Sequence, residues 1–432
     1  MSATVSSKPG SRTQPGTIRN FRWFICALLL YATTVNYMDR LVLSILQPVI
    51  ARDLHWNNTE YGTINAIFQA GYAIMMPLAG RLIDWLGLRV GYSSATLVWS
   101  VSSLCHSLAK TGTQFSIARF GLGLGEAANF PACIKAVADW FPRRERALAT
   151  GIFNGGSNLG AVIAPLTVPF ITARFGWQSA FLFTGSLSLS FVIIWALVYR
   201  EPEEHKWLSA EELTLIRSDQ EGVSTDKVPY RSLLGKNAAW AFVIGKFLTD
   251  PVWWFYLTWL PNFLHNKFGV DLLHLGAPLI TIYAASAVGS VSGGWLSSFF
   301  LKRGWLLGTA RKSAMLVCAS AVTAVMFVPK AAGNLWLTVG LIAIAAAAHQ
   351  GWSANLFTMT SDCFPRKAVG SVVGLGGLGG AIGGVLMQFA IGRWLDFSGN
   401  SYGPIFIWAG TMYLLSLFIV HLLLPRFETV KL

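Results

Sequence analysis

Six ionisable residues stand inside otherwise apolar runs of this chain: Asp39 and Arg40, Arg119 and Glu126, Lys246 and Asp250. A charge at the centre of a bilayer costs about 2.5 to 3.5 kcal/mol even on the lenient insertion scale, so such residues usually face a cavity and mark a pathway. Their spacing organises them. Arg119 and Glu126 are seven apart, which puts them on one face of a helix but two turns, roughly 10 Å, along its axis. That suits a network whose members approach and part, as proton coupling requires, and a static structural network fits the same spacing. Lys246 and Asp250 are four apart and can pair directly, as a structural ion pair or as part of a site. Asp39 and Arg40 point about 100° apart and need different partners. Three intramembrane cations suit a carboxylate ligand. No nucleophile with a base and no metal-ligand set accompanies them, so neither an enzyme nor a cofactor is expected.

Other polar and aromatic positions join this group. Gln69 and Tyr72 lie in the second apolar run, and His349, Gln350, Ser353 and Asn355 form a stripe in the tenth. Trp253, Trp254, Tyr256 and Trp259 offer an aromatic wall suited to the apolar face of a sugar ring. Each is equally explained as an interhelical hydrogen bond or as core packing.

The elements that carry these residues are membrane spans. The chain is 53% hydrophobic and only 12% charged, against about 25% charged in an ordinary soluble domain. Apolar segments long enough to cross a ~30 Å hydrocarbon core are predicted at 22–49, 60–80, 91–109, 113–136, 147–172 and 177–199. A second set follows at 238–264, 275–300, 312–329, 334–358, 369–394 and 403–424. The expected organisation is an N-terminal segment (1–21), a six-helix half (22–199), a linker (200–236), a second six-helix half (237–424) and a tail (425–432). The linker holds eight of the twenty acidic residues, and Ser209-Ala210-Glu211-Glu212 reads as a capping box in which Glu212 reaches back to the start of its own helix.

The net charge of +13 raises nucleic acid as a partner, but the basic residues sit in short loops rather than on one folded face. Of the 33 Lys and Arg, 24 fall on the side of the termini and six on the other. Positive charge marks cytoplasmic loops, so both termini are expected in the cytoplasm of a multi-pass cell-membrane protein, the inner membrane if the source is bacterial. The five cysteines fall in or beside apolar segments without metal-ligand spacing and read as small core residues.

An internal repeat divides the chain. Asp139-Trp140-Phe141-Pro142-Arg143 returns as Asp362-Cys363-Phe364-Pro365-Arg366, and Gly151 and Gly160 return at the same offset as Gly374 and Gly383. Parallel repeats related by an axis along the membrane normal characterise one large class of transporters, with the solute site at mid-membrane between them. The many glycines of the fifth and eleventh spans read as close helix packing as readily as gating.

The run Gly80-Arg81-Leu82-Ile83-Asp84-Trp85-Leu86-Gly87-Leu88-Arg89 resembles the signature loop of the major facilitator superfamily, and implies a gating role for Asp84 and Arg89. The second half keeps Gly293-Gly294 and Lys302, Arg303, Arg311 and Lys312 without the full pattern. The runs Asn36 to Arg40, Arg119 to Pro131, Asp139 to Arg146 and Asp362 to Arg366 resemble the anion:cation symporter family within it. Lys246 to Pro261 and His349 to Asp362 are most similar to its hexuronate branch. The resemblance implies an all-α fold of twelve membrane helices in two pseudo-symmetric halves. It implies Asp39 and Glu126 as protonatable acids, Arg119 as the arginine coupled to the second acid, and Arg40 and Tyr72 as substrate contacts. Lys246, Trp254, Ser353 and Asn355 follow as contacts that vary with substrate.

The expected function is proton-coupled symport of a small organic anion, a hexuronate or related sugar acid, by a monomer embedded in lipid and rocking about a central site. A facilitator or exporter of another anion shares this fold, and proton dependence of uptake separates the two. A membrane solute sensor is a rival from another class, and the short central loop with no output domain weighs against it.

Overall fold

The computed structural model describes residues 18, 20–218, 230–331, 333–428 and 430. The expected N-terminal segment therefore lies almost wholly outside the described residues, as do the middle of the linker and the end of the tail. Among the described residues the chain is helical, and twelve helical passes run back and forth. The first half consists of α1 (Phe21–Asp53), α2 (Asn58–Leu86), α3 (Leu88–His106), α4 (Gly112–Glu126), α5 (Asn129–Trp140), α6 (Arg143–Phe175) and α7 (Trp177–Val198). Two short helices, α8 (Ala210–Arg217) and α9 (Tyr230–Leu234), belong to the linker. The second half consists of α10 (Asn237–Phe268), α11 (Gly276–Lys302), α12 (Leu307–Val322), α13 (Leu335–Cys363), α14 (Arg366–Phe397) and α15 (Gly403–Leu423). Among the described residues eight helical stretches are long and apolar enough to cross a membrane, one of them α12 together with the 3₁₀ turn that follows it. Several of the others carry the buried charges that dilute their hydropathy.

The fourth pass departs from the single predicted span at 113–136. Pro131 has no N–H to give the Ala127 carbonyl, and the chain turns at residues 127 and 128 between α4 and α5. Glu126 is thereby the last residue of α4. The ninth pass finishes in a 3₁₀ segment, Thr323–Ala331.

Small residues weld helices inside each half. A Cβ at Gly156 or Gly160 of α6 would lie 2.6 Å from the Leu30 carbonyl or 2.4 Å from the Thr34 carbonyl of α1. At Gly289 and Gly293 of α11 it would meet Ala347 and Gly351 of α13 at 2.0 and 2.2 Å. Such backbone approach tolerates no side chain.

The halves meet along α2 against α14, α1 against α10 and α6 against α11. Hydrogen bonds between them gather at the face away from the termini. There Asp396 of α14 accepts from the backbone N–H groups of Asn58 (3.0 Å) and Thr59 (2.7 Å) and from Asn58 Nδ2 (2.9 Å). Asn262 of α10 donates to Asn58 Oδ1 at 3.2 Å, and the Tyr61 hydroxyl donates to the Thr258 carbonyl at 2.7 Å. An acid of the second half thus sits on the positive N-terminus of a helix of the first. Toward the termini, a Cβ on Gly151 or Gly155 of α6 or on Gly370 of α14 would meet nothing within 4 Å among the described residues.

The linker corrects one sequence-based expectation. Ser209 caps α8 as expected, accepting from the Glu212 N–H at 3.2 Å. Glu212 does not turn back to its own helix; its carboxylate accepts from the N–H groups of Phe21 (3.0 Å) and Arg22 (3.2 Å) and from Arg22 Nη1 (2.8 Å). It caps α1 instead, because α1 begins with no side-chain cap of its own. Arg22 also bridges to Glu145 of α6 at 2.8 Å, and Phe21, His205 and Trp207 pack ring against ring. The first part of the linker is therefore docked on the first half.

Candidate functional site

The centre of the molecule holds a narrow polar cavity between α1, α2, α4, α10 and α14. Its charged and polar lining is Arg40 and Ser44, Asn65 and Gln69, Arg119, Thr258 and Gln388, closed by Phe68, Trp254 and Leu257. The enclosed volume is ≈ 10 Å³, room for about one water. A sugar acid requires the lining to part.

Glycines allow the charged side chains to converge here. Gly123 of α4 lies so close to α2 that a Cβ would be 2.2 Å from the Phe68 carbonyl, and Gly125 approaches α3 at Ala95 and Trp99 in the same way. Glu126 is carried to the end of this tightly held segment, where it faces α1. Arg40 Nε and Nη2 donate to the same oxygen, Glu126 Oε2, at 2.9 and 2.7 Å. Both side chains are buried, at 8% and 0% exposure. Arg40 also lies over four rings, Tyr37, Phe68, Tyr72 and Trp254, at 5.0 to 5.4 Å. These faces are attractive to a guanidinium.

Arg119 is arranged differently from the expectation that it holds Glu126. Its one hydrogen bond reaches the Arg40 carbonyl at 3.5 Å, and its ring contact is Phe68 at 5.5 Å. Among the described residues its Nε and Nη1 have no partner, nor does Glu126 Oε1. The seven-residue spacing explains this, since two turns of rise hold Arg119 and Glu126 apart while α1 brings Arg40 between them. Asp39, on the other side of α1, accepts from Ser103 of α3 at 2.6 Å and from Ser188 of α7. It is buried in the first half, with hydroxyls rather than a cation as direct partners.

Lys246 and Asp250 do pair, at 2.7 Å, and Lys246 also lies 4.5 Å from the Phe357 ring centre. Asp250 is pressed against α14, where a Cβ on Gly380 would be 2.2 Å from its Oδ2. This pair stands nearer the face of the termini than the cavity. Tyr72 and Trp254 face one another across the halves at 6.4 Å between ring centres. Asn355 is not brought to the cavity: its Nδ2 donates to the carbonyls of Gly293 and Gly351, both at 2.9 Å, and fastens α13 to α11. Ser353 is half-buried on α13 and likewise lies outside the cavity lining. His349 stacks on Trp253 and bonds the Tyr413 hydroxyl at 2.5 Å, a structural placement.

At the face of the termini, Asp84 pairs with Lys135 of α5 at 2.8 Å. Arg89 donates through Nε to the Ala196 carbonyl at the end of α7, at 3.0 Å. Both are tied within the first half. In the second half, Arg311 bridges to Asp362 at 2.9 Å and to Ser297 at 2.8 Å.

Two helical halves around a central cavity lined by two buried arginines, one of them bridged to a buried acid behind it, define a multi-pass membrane transporter. The chain belongs to the Major Facilitator Superfamily, whose model matches residues 29–386. It is 32% identical to a hexuronate transporter of Escherichia coli over 90% of each chain. It is 32% identical to a galacturonate transporter of Dickeya chrysanthemi over 66% of this chain and 84% of that one. A probable galactarate/D-glucarate transporter of Escherichia coli is 29% identical over 89% of this chain and 90% of that one. Among solved structures it is similar to a bacterial homologue of the human lysosomal transporter Spinster, captured inward-facing and occupied, with a TM-score of 0.70 and 18% identity over 94% and 96% of the two chains.

Proposed function

We propose that this protein couples proton movement to transport of a small organic anion, a hexuronate or related sugar acid, by rocking of its halves. The observation that carries this reading is the buried Arg40–Glu126 bridge beside an arginine with two unpartnered N–H directions. A proton on Glu126 and an anion on Arg40 are then mutually supportive. Protonation removes the charge that holds Arg40, and the freed guanidinium, with Arg119, presents forks that match a carboxylate. Deprotonation after release restores the bridge and resets the empty carrier. In this cycle Arg40 is the cation that Glu126 releases, whereas the spacing alone suggested Arg119. Asp39 serves as a second proton site behind α1. The names of the relatives supply the sugar-acid class, and Trp254 and Tyr72 supply ring faces for the apolar side of a pyranose.

The excess of basic residues on the side of the termini supports a cytoplasmic location for both ends. In that orientation the seal of Asn58, Thr59, Tyr61, Asn262 and Asp396 closes the outer face. The test is uptake of labelled galacturonate and glucuronate into proteoliposomes with and without an inward proton gradient. Accumulation above equilibrium that depends on the gradient is expected. Uptake that merely equilibrates refutes the coupling, and a preference for neutral sugars refutes the anion class.

A further inference from the structure

Gln69 is 1% exposed on α2 at the cavity wall, and among the described residues neither its Oε1 nor its Nε2 has a hydrogen-bond partner. Buried amides left in this state are rare, and each calls for an explanation. The other amide across the cavity, Gln388, has a partner at both atoms: it accepts from Trp259 Nε1 at 2.7 Å and donates to Thr258 Oγ1 at 2.9 Å. Asn65 is tied to the Tyr61 carbonyl at 2.9 Å. Among the described residues that line the cavity, only Gln69 and Arg119 hold buried polar atoms without a partner. One offers charge-assisted donors for a carboxylate, the other a neutral donor and acceptor side by side.

Space around Gln69 is also reserved. A Cβ on Gly384 of α14 would stand 3.4 Å from its Cδ and 3.3 Å from Cδ1 of Trp254. Such contact is tighter than most Cβ atoms tolerate, so a side chain there would press the amide and the indole together.

Resting on the sugar-acid reading above, we infer that Gln69 is a specificity-determining residue that reads the substrate's hydroxyl groups while the arginines hold its carboxylate. A vicinal diol donates one hydroxyl proton to Oε1 and accepts from Nε2, which matches an amide's two atoms. A site built to hydrogen-bond a hydroxyl rejects the analogue lacking it, because its own polar atoms then remain unpaired.

The experiment measures binding of galacturonate and of cyclohexanecarboxylate, a ring carboxylate without hydroxyls, to purified full-length protein. Gln69→Met keeps the length and unbranched shape of the side chain and removes both hydrogen-bonding atoms. We expect it to weaken galacturonate binding by about 10- to 100-fold and to leave cyclohexanecarboxylate binding, weak in the wild type, unchanged or tighter, because Met leaves no polar atom unpaired beside that ring. Gln69→Asn, one methylene shorter, should show the same asymmetric loss and serves if the Met variant does not fold. Unchanged galacturonate affinity in either folded variant overturns the inference. Equal loss for both ligands also overturns it, since that would mark Gln69 as structural. Wild-type protein that binds neither acid fails the sugar-acid reading itself, a result distinct from both.

Discussion

Replacing Asp396 with alanine removes a carboxylate that the second half places on the N-terminus of α2. In the sealed state that carboxylate accepts from the Asn58 and Thr59 N–H groups and from Asn58 Nδ2. Removal of a capping acceptor costs about 0.5 to 2 kcal/mol, and a carboxylate at a helix N-terminus adds roughly 0.3 to 1 kcal/mol from the dipole. Asp396 is solvent-exposed, so screening reduces the sum, and about 1.4 kcal/mol is a reasonable net value, equivalent to a tenfold change in an equilibrium. Because these contacts exist only while this face is closed, the whole loss falls on the sealed state. The ratio of sealed to open carrier should therefore drop about tenfold. Spin labels on cysteines replacing Lys110 and Lys330, which cap this face on opposite halves, would report the distribution of separations in a cysteine-free background. Asp396→Ala should transfer population to the longer distance. Asp53→Ala is the control, because Asp53 accepts from Trp177 Nε1 at the same face but within one half. An unchanged distribution in Asp396→Ala, or an equal change in the control, would refute the claim that this cap holds the face shut.

Glu126→Gln should still bind and exchange substrate across the membrane but fail to accumulate it against a gradient, measured by counterflow and proton-driven uptake in the same proteoliposomes. Arg40→Ala should lose substrate binding in calorimetry, and Arg40→Lys should recover little, since a single ammonium does not reproduce the fork or its stacking between Tyr37, Tyr72 and Trp254. Gly289→Val should abolish folded expression by size-exclusion chromatography, because its Cβ would lie 2.0 Å from the Ala347 carbonyl. Single cysteines at Lys110 and Lys206 should react with an impermeant reagent from opposite sides of intact cells, and reaction of both from one side would reverse the orientation.

What the sequence reveals here depends on how far apart in the chain partners lie. Lys246 and Asp250 were legible as a pair because four residues is one helical turn. The partner of Glu126 was not: Arg40 is 86 positions away, while Arg119 is near in sequence and on the same helical face, which makes it the more inviting choice. The break after Glu126 left only an ambiguous signal, since Pro131 removes the N–H that would bond the Ala127 carbonyl but Pro48, Pro77, Pro165 and Pro251 sit inside continuous helices. Asn355, placed in a polar stripe, had no mark distinguishing a ligand contact from a side chain that fastens α13 to α11. Gln69 shared that ambiguity until its neighbours showed that nothing satisfies it. Asp396 carried no motif, because its ligand is the backbone of another half.

The docking of α8 has a bearing on how this chain can be handled as material. Glu212, Trp207 and buried Ile216 are fastened to the first half, while Leu233 is buried and Leu234 accepts from Trp240 at the start of the second. Among the described residues these contacts lie on either side of the interval between Ser218 and Tyr230 and none of them spans it. The linker is thus fastened to one half at its start and to the other at its end, with a seam between the two pieces. Two separately translated fragments ending and beginning there should find each other in the membrane, and a fluorescent reporter inserted at the same seam should ride on the carrier without disturbing either piece.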